Sequence, residues 1–188
     1  MIVAGYRLPF FPMRPTQGTV LDSDRIKLAI QRLIDGWTVQ LKLNGDRAIV
    51  AVDESKRVFV FNRHGSKYKM TVDNLEKFQA MPSSVFDGEI YGKEFYPFEA
   101  LAVGGQRVIE VADRENVAMN ACQLLGIKWL YEVTEEKLNK FLTIGTVHRG
   151  TALRIEGVVL KEPKSRYIPL GAESQNSPSW FKWKFAAY

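Results

Sequence analysis

Apolar residues recur along this chain with two different periods, and the switch between them marks the first structural boundary. In SDRIKLAIQRLID (residues 23–35), Ile26, Ala29, Ile30, Leu33 and Ile34 fall at helical spacing. That predicts a helix with one buried face, Ser23 as its N-cap and Gly36 as its stop. From Trp37 the period becomes two, and WTVQLKL, RAIVAV and, after a DESK turn, RVFVFN read as an antiparallel meander. A short helical stretch over residues 74–80 stops at Met81-Pro82. Two more strands follow, SVFDGEIYG and FYPFEALAV, with a Gly92-Lys93-Glu94 turn between them. Helices are predicted over residues 114–125 and 135–142. RIEGVVLK and SWFKWKF then close the chain as strands, joined by a polar loop holding Pro163, Pro169, Gly171 and Pro178. Strands in meanders with helices clustered between them predict an α+β fold, antiparallel β-sheets flanked by helices.

Composition narrows the class. With 188 residues, 46% of them apolar and 12% aromatic, the chain can bury one sizeable core, so a single domain over residues 1–188 is expected. One cysteine, Cys122, excludes an internal disulfide framework, and one cysteine with two histidines cannot complete a usual zinc site. Both facts fit a reducing, cytoplasmic setting. The N-terminal MIVAGYRLPFFPMRP breaks its apolar residues with charge and prolines, and no run approaches the roughly eighteen apolar residues of a membrane span. A soluble, untargeted chain with no membrane partner is expected. The net charge of +5 favours a polyanionic partner.

The polar residues inside the strands carry the chemistry. In VQLKLN, period two places Val39, Leu41 and Leu43 on one face and Gln40, Lys42 and Asn44 on the other, so Lys42 points away from the core. Alone it reads as an ordinary exposed lysine. Four further strings change that reading: FDGEIY (86–91), FYPFEAL (95–101), IEGVVLKEP (155–163) and WFKWKF (180–185). Each sets a carboxylate, an aromatic or paired lysines into an otherwise apolar strand, where an unpaired buried charge is costly, and all are best explained by convergence on one site. Taken in order with KLNGDR, they resemble the motifs of the covalent nucleotidyltransferases: ATP-dependent DNA ligases, RNA ligases and messenger RNA capping enzymes. The resemblance covers residues 40–184. EGVVLK followed by SRY, a glycine and WFKWK looks most like the adenylation domain of an ATP-dependent DNA ligase, an ATP-grasp-like domain of the ligase type.

That resemblance implies a nucleophile, a cofactor pair and a substrate. Lys42 matches the lysine that attacks the α-phosphate of ATP, releasing pyrophosphate and retaining AMP as a phosphoramidate. AMP then passes to the 5′-phosphate of a nicked duplex, and the neighbouring 3′-hydroxyl displaces it to seal the strand, as in DNA repair and replication. Arg47, Lys161, Lys182 and Lys184, with a bound magnesium, would favour a neutral amine and neutralise the triphosphate. Glu89 and Glu156 match the two acidic positions, one near the ribose and one near Mg2+, which prefers oxygen ligands. Gln40 matches the reader of adenine's amino edge. Phe98 matches the aromatic that stacks on adenine, with Tyr96 as its competitor on the same face. Arg47 would meet the nucleotide or the 5′-phosphate, and Arg63 of FNRHG fits the short arginine-glycine motif, its other reading being a solvent-facing hairpin arginine.

Strand parity adds two expectations. Lys182 and Lys184 share one face, with Phe181, Trp183 and Phe185 on the other, which predicts a phosphate side and a core side. Glu156 and Lys161, five apart, should face opposite ways unless the strand bends at Gly157 or Lys161 lies beyond its end. Two departures from the family pattern stand out. Asn44 occupies a position that is aspartate in DNA ligases, a variation more tolerated among RNA ligases. The chain also stops four residues after Lys184, so no OB-fold is expected. The implied protein is a minimal, monomeric ATP-dependent ligase of nicked double-stranded DNA. The alternatives are an RNA ligase with the same chemistry, or a non-sealing module that binds nucleotide or nucleic-acid ends and needs a partner domain.

Overall fold

A computed structural model describes residues 1–129, 133–144, 155–168 and 176–185. In chain order the strands and helices are β1 (Ile2–Val3), β2 (Tyr6–Arg7), β3 (Pro15–Val20), α1 (Ser23–Ile34), β4 (Thr38–Leu43), β5 (Asp46–Val52) and β6 (Val58–Asn62). A 3-10 turn at Leu75–Ala80 follows, then β7 (Ser84–Tyr91), β8 (Glu94–Val103), β9 (Gln106–Arg107), α2 (Val111–Leu125), α3 (Glu135–Ile144), β10 (Ile155–Lys161) and β11 (Ser177–Lys184). These form two compact units. The larger comprises residues 1–13, 45–129 and 166–168, and the smaller 14–44, 133–144, 155–165 and 176–185.

The larger unit is built on a five-stranded antiparallel sheet of order β6-β5-β7-β8-β9, beside the β1-β2 pair. Period two divides its central strands. Ala48, Val50 and Val52 of β5, Phe86 and Ile90 of β7, and Phe95 and Ala100 of β8 enter one core with Phe78 and with Ala118 and Ala121 of α2. Gly88 is part of that packing, because a Cβ there would lie 2.5 Å from the Phe95 ring. The opposite face carries Arg47, Asp87, Glu89 and Glu99.

In the smaller unit the sheet order is β3-β11-β10-β4, with β10 antiparallel to both neighbours and β11 parallel to β3. Helix α1 packs against β4 and α3, burying Ile26 and Ala29. Val39, Leu41, Leu43, Val158 and Leu160 fill the apolar face of the sheet, and Trp37 meets Phe181 at 6.1 Å between ring centroids. Among the described residues, no helix is long and apolar enough to cross a membrane.

The α+β architecture is as expected, and the differences from the sequence reading have physical causes. The meander forms only in part: β5 and β6 pair as the expected antiparallel hairpin, but β4 pairs with β10, and the other neighbour of β5 is β7. The Asn44-Gly45 step is therefore a passage between two sheets rather than a hairpin turn. Gly45 is required by close approach, since a Cβ there would sit 2.3 Å from the Ile90 carbonyl oxygen, and its N–H donates to Glu89 Oε1 at 3.1 Å. The N-cap of α1 is Asp22, not Ser23, its carboxylate accepting the Arg25 N–H at 2.8 Å; either residue type caps well, so composition could not choose. Helix α2 starts three residues before the expected Arg114 because Arg114 and Glu115 sit on its buried face and hide the apolar period. The short β1 to β3 were not foreseen; β3 depends on a long-range parallel pairing that no local pattern announces. Pro178 lies inside β11, as its exposed second residue, rather than in the preceding loop. Pro169 and Gly171 lie outside the described residues.

Candidate active site

The lysines of the smaller unit are ordered by register. Directly opposed residues share a face, and three rows cross β4, β10 and β11: Lys42, Gly157 and Lys184; Gln40, Val159 and Lys182; Thr38, Lys161 and Trp180. Glu156 is the extra residue of a bulge between Ile155, which opposes Leu43, and Gly157, which opposes Lys42. Gly157 has φ +153° and passes so close to β11 that a Cβ would fall 2.0 Å from the Trp183 carbonyl oxygen. With no side chain in the middle of the first row, the space between Lys42 and Lys184 is left to the Glu156 carboxylate. Lys42 Nζ donates to Glu156 Oε1, and Lys184 Nζ donates to Oε2 at 3.2 Å. The bend at Gly157 thus settles the parity question: Lys161 lies within β10, and the bulge re-aims Glu156.

Charge is unbalanced in this cluster. Burial would raise the Glu156 carboxyl, but the hydrogen bond and charge of Lys42, and then those of Lys184, outweigh it and hold the group below its usual range. Lys182 is pushed below the usual lysine range, first by burial and then by the charges of Lys42, Lys184 and Arg14, against the opposing pull of Glu156. Arg14 was missed from the sequence, where MRP carries no motif to single it out. Lys42 and Glu156 remain accessible, with side chains 21% and 22% exposed, and Lys184 more so at 44%. Such a surface, with cations in excess around one carboxylate, suits an anionic ligand.

The other expectations for these strands are met unevenly. Gln40 is buried on the lysine face. Lys161 is buried as well, its ammonium 4.6 Å from the centroid of Trp180, whose indole N–H donates to Ser165 Oγ at 3.1 Å. The proposed split of β11 into a phosphate side and a core side is not clean. Its fully buried aromatic is Trp180, on the lysine face, while Phe181, Trp183 and Phe185 are only partly buried. Lys161 is the reason, since its stem and ammonium cover that ring.

In the larger unit, Arg47 opposes Glu89 across β5 and β7. Its guanidinium grips Asp87 in a fork, Nε to Oδ1 at 3.0 Å and Nη2 to Oδ2 at 2.5 Å. Tyr167 donates its hydroxyl to Asp87 Oδ2 at 2.6 Å. Burial opposes the charge on Arg47, but Asp87 overrides it and keeps the group firmly cationic. Burial, then the charge of Asp87, drives the Tyr167 hydroxyl well above its usual range, so it stays a donor. Phe98 falls at an irregularity in the β7-β8 register and lies beneath Arg47, 5.2 Å from guanidinium carbon to ring centroid. Tyr96, its competitor, is tied by its hydroxyl to Glu94 at 2.7 Å. Glu89 holds the Gly45 N–H. Arg63 is exposed at the end of its hairpin and donates to His64 Nε2 at 3.0 Å. Asp87 and Tyr167 were missed, though FDGE and SRY had drawn notice as strings: period two sets Asp87 on the face of Glu89, a usable signal, whereas nothing local links Tyr167 to it.

No family model and no curated protein matches the chain. Solved structures do. The chain is similar to mycobacterial DNA ligase D complexed with ATP and MES, with TM-score 0.65 and 19% identity, covering 93% of this chain and 60% of that one. The ligase domain of M. tuberculosis LigD gives TM-score 0.65 and 20% identity, with 93% and 59% covered. An archaeal ATP-dependent RNA ligase gives TM-score 0.52 and 18% identity, with 92% and 47% covered. This chain therefore spans less than two thirds of the length of each. The chain shares its fold with these ligase structures.

Proposed function

We propose that the chain is an ATP-dependent polynucleotide ligase that seals nicks in duplex DNA through a lysyl-AMP intermediate. The observation that carries this reading is the row Lys42, Gly157, Lys184, with the Glu156 carboxylate bridging both ammonium groups. Lys42 Nζ would attack the α-phosphorus of ATP, forming a P–N bond as the bond to the bridging oxygen breaks and pyrophosphate leaves. The amine must first part from Glu156, and the charges of Lys182 and Lys184 would draw in the triphosphate. AMP then passes to a 5′-phosphate, and the 3′-hydroxyl attacks that phosphate and expels AMP. In this reading Gln40 reads the adenine edge and Phe98 stacks on the ring. Arg47 and Arg63 meet nucleotide or strand phosphate, and Glu89 meets the ribose. Lys161, whose ammonium faces the Trp180 ring, would contact phosphate beside Lys182 and Lys184.

The donor set agrees with magnesium. Among the described residues no group of three acidic, histidine or cysteine side chains forms a metal cage, and magnesium is usually held by only one or two carboxylates plus substrate phosphate oxygens. Glu156, and Glu89 in the larger unit, each offer one such carboxylate. When bound, the ion would withdraw charge from the phosphate oxygens.

Incubation with ATP labelled at its α-phosphate and magnesium should yield a protein whose label survives denaturation and alkali but is released by acid, as a phosphoramidate requires, and the label should be lost in Lys42→Ala. Absence of the adduct from the wild type would remove this function. Nicked DNA compared with nicked RNA decides the strand: preference for RNA would make the chain an RNA ligase. Adduct without sealing of either, even from a pre-adenylated nick, would leave an end-binding module.

A further inference from the structure

Tyr167 lies in the connection that follows β10, and its hydroxyl both accepts and donates a hydrogen bond within the larger unit. The Met13 N–H donates to the phenolic oxygen at 3.2 Å, so the phenolic proton is left for Asp87 Oδ2. The ring is held edge-on by Phe10, centroids 6.2 Å apart, and faces the Arg114 guanidinium at 5.8 Å. Arg114 is fully buried and pairs through Nε with Glu99 Oε2 at 3.2 Å, and Glu99 opposes Asp87 across β7 and β8. Two buried carboxylates therefore stand side by side, each with its own arginine, and Tyr167 touches both pairs.

We propose that Tyr167 is a positioning residue for Arg47. Its hydroxyl fixes the Asp87 carboxylate in the one orientation that offers both oxygens to Nε and Nη2 of Arg47, and so holds that guanidinium over Phe98 in a single pose. A carboxylate without this donor can turn about its terminal torsion, which is broad and roughly two-fold, and the fork becomes a single bond. Arg114 serves the arrangement by neutralising Glu99, which would otherwise repel Asp87. The plain alternative is a core tyrosine whose hydroxyl is merely satisfied. The inference rests on the ligase reading, in which Arg47 meets nucleotide or 5′-phosphate.

The test is Tyr167→Phe in the full chain, which keeps the ring against Phe10 and Arg114, made in wild-type and Arg47→Lys backgrounds. Two readouts are taken: the Arg47 Nε–H signal in nitrogen-15 spectra, assigned by its loss in Arg47→Lys, and the rates of Lys42 adenylation and of transfer to a nick. The Nε–H signal should shift and exchange faster with water in Tyr167→Phe. The step that Arg47→Lys slows should be slower by roughly tenfold, the worth of a charge-assisted hydrogen bond, with little added in the double variant. An unchanged Nε–H signal overturns the proposal, as does slowing that multiplies with Arg47→Lys or falls on a different step. If the wild type forms no adduct, the ligase reading fails instead, and the Nε–H signal alone decides whether Tyr167 holds Arg47.

Discussion

Lys42 and Arg47 are five residues apart and both are paired with a carboxylate, yet the two pairs are built on opposite principles. The Lys42 carboxylate is shared: Glu156 serves Lys42 and Lys184 and also pulls on the charge of nearby Lys182, and each of Lys42, Lys184 and Glu156 is partly open to water. The Arg47 carboxylate is dedicated. Asp87 is fully buried, gives both oxygens to one guanidinium and is braced by a buried tyrosine. A shared, solvated carboxylate can be exchanged for another anion at little cost, while a dedicated buried one cannot. The first arrangement suits a side chain that must change partner and charge during a reaction. The second suits one that must already be in place.

Deleting one partner from each pair is the strongest test of that contrast. Asp87→Asn leaves a largely buried guanidinium short of its counter-charge and should destabilise the larger unit by about 3 kcal/mol or more, read from denaturant midpoints. Lys42→Ala leaves Glu156 its contact with Lys184 and should cost no more than about 1 kcal/mol. Equal losses would break the distinction. Next in size is Gly157→Ala, which meets both the +153° φ and the Trp183 carbonyl 2.0 Å from the new Cβ. A cost of about 2 kcal/mol is expected in thermal unfolding. The bulge that aims Glu156 would move with it, and adenylation should fall with stability. A variant that keeps its melting temperature would show that the bulge does not depend on glycine.

How far the sequence announced this arrangement follows from the range of each cue. Period two read Gln40 and Lys42 onto one face of their strand, and Lys182 and Lys184 onto one face of theirs, without knowledge of strand order, because side-chain alternation is local. It also flagged Gly157, since five-residue spacing between Glu156 and Lys161 demanded a break. Pairing was not legible. Three strands in succession from Trp37 look like a meander, and only the contact of Gly45 with Ile90 and Glu89, some 45 positions away, shows that β5 leaves for another sheet. The Asp87 and Tyr167 hydrogen bond spans 80 positions, and the buried Arg114 was concealed because its charge erased the pattern that would have placed it. What depended on one strand's own period could be read; what depended on which strands meet could not.

Acid provides the finest comparison, because it acts on the shared carboxylate without removing an atom. The folded Glu156 carboxyl lies below its usual value, so the unfolded chain binds its proton more readily. The stabilisation is therefore complete above the unfolded value of about 4.3 and disappears as pH falls through the folded one. A whole-protein stability curve cannot isolate this, since Asp53 and Glu94 are lowered too, Asp53 by Arg57 and neighbouring backbone N–H groups against burial, Glu94 chiefly by Tyr96 and Lys128. The difference between wild type and Glu156→Gln can. Near neutral pH the variant should be less stable by about 1 kcal/mol, since three lysines then face one another with no counter-charge. The gap should close as pH falls below the unfolded value and the wild-type carboxyl takes up its proton and becomes equivalent to the amide. Tryptophan fluorescence follows the same strand, with Trp180 and Trp183 both in β11. A gap that persists unchanged into acid would mean that Glu156 holds the row by shape rather than charge, and that Lys42 is seated as firmly as Arg47.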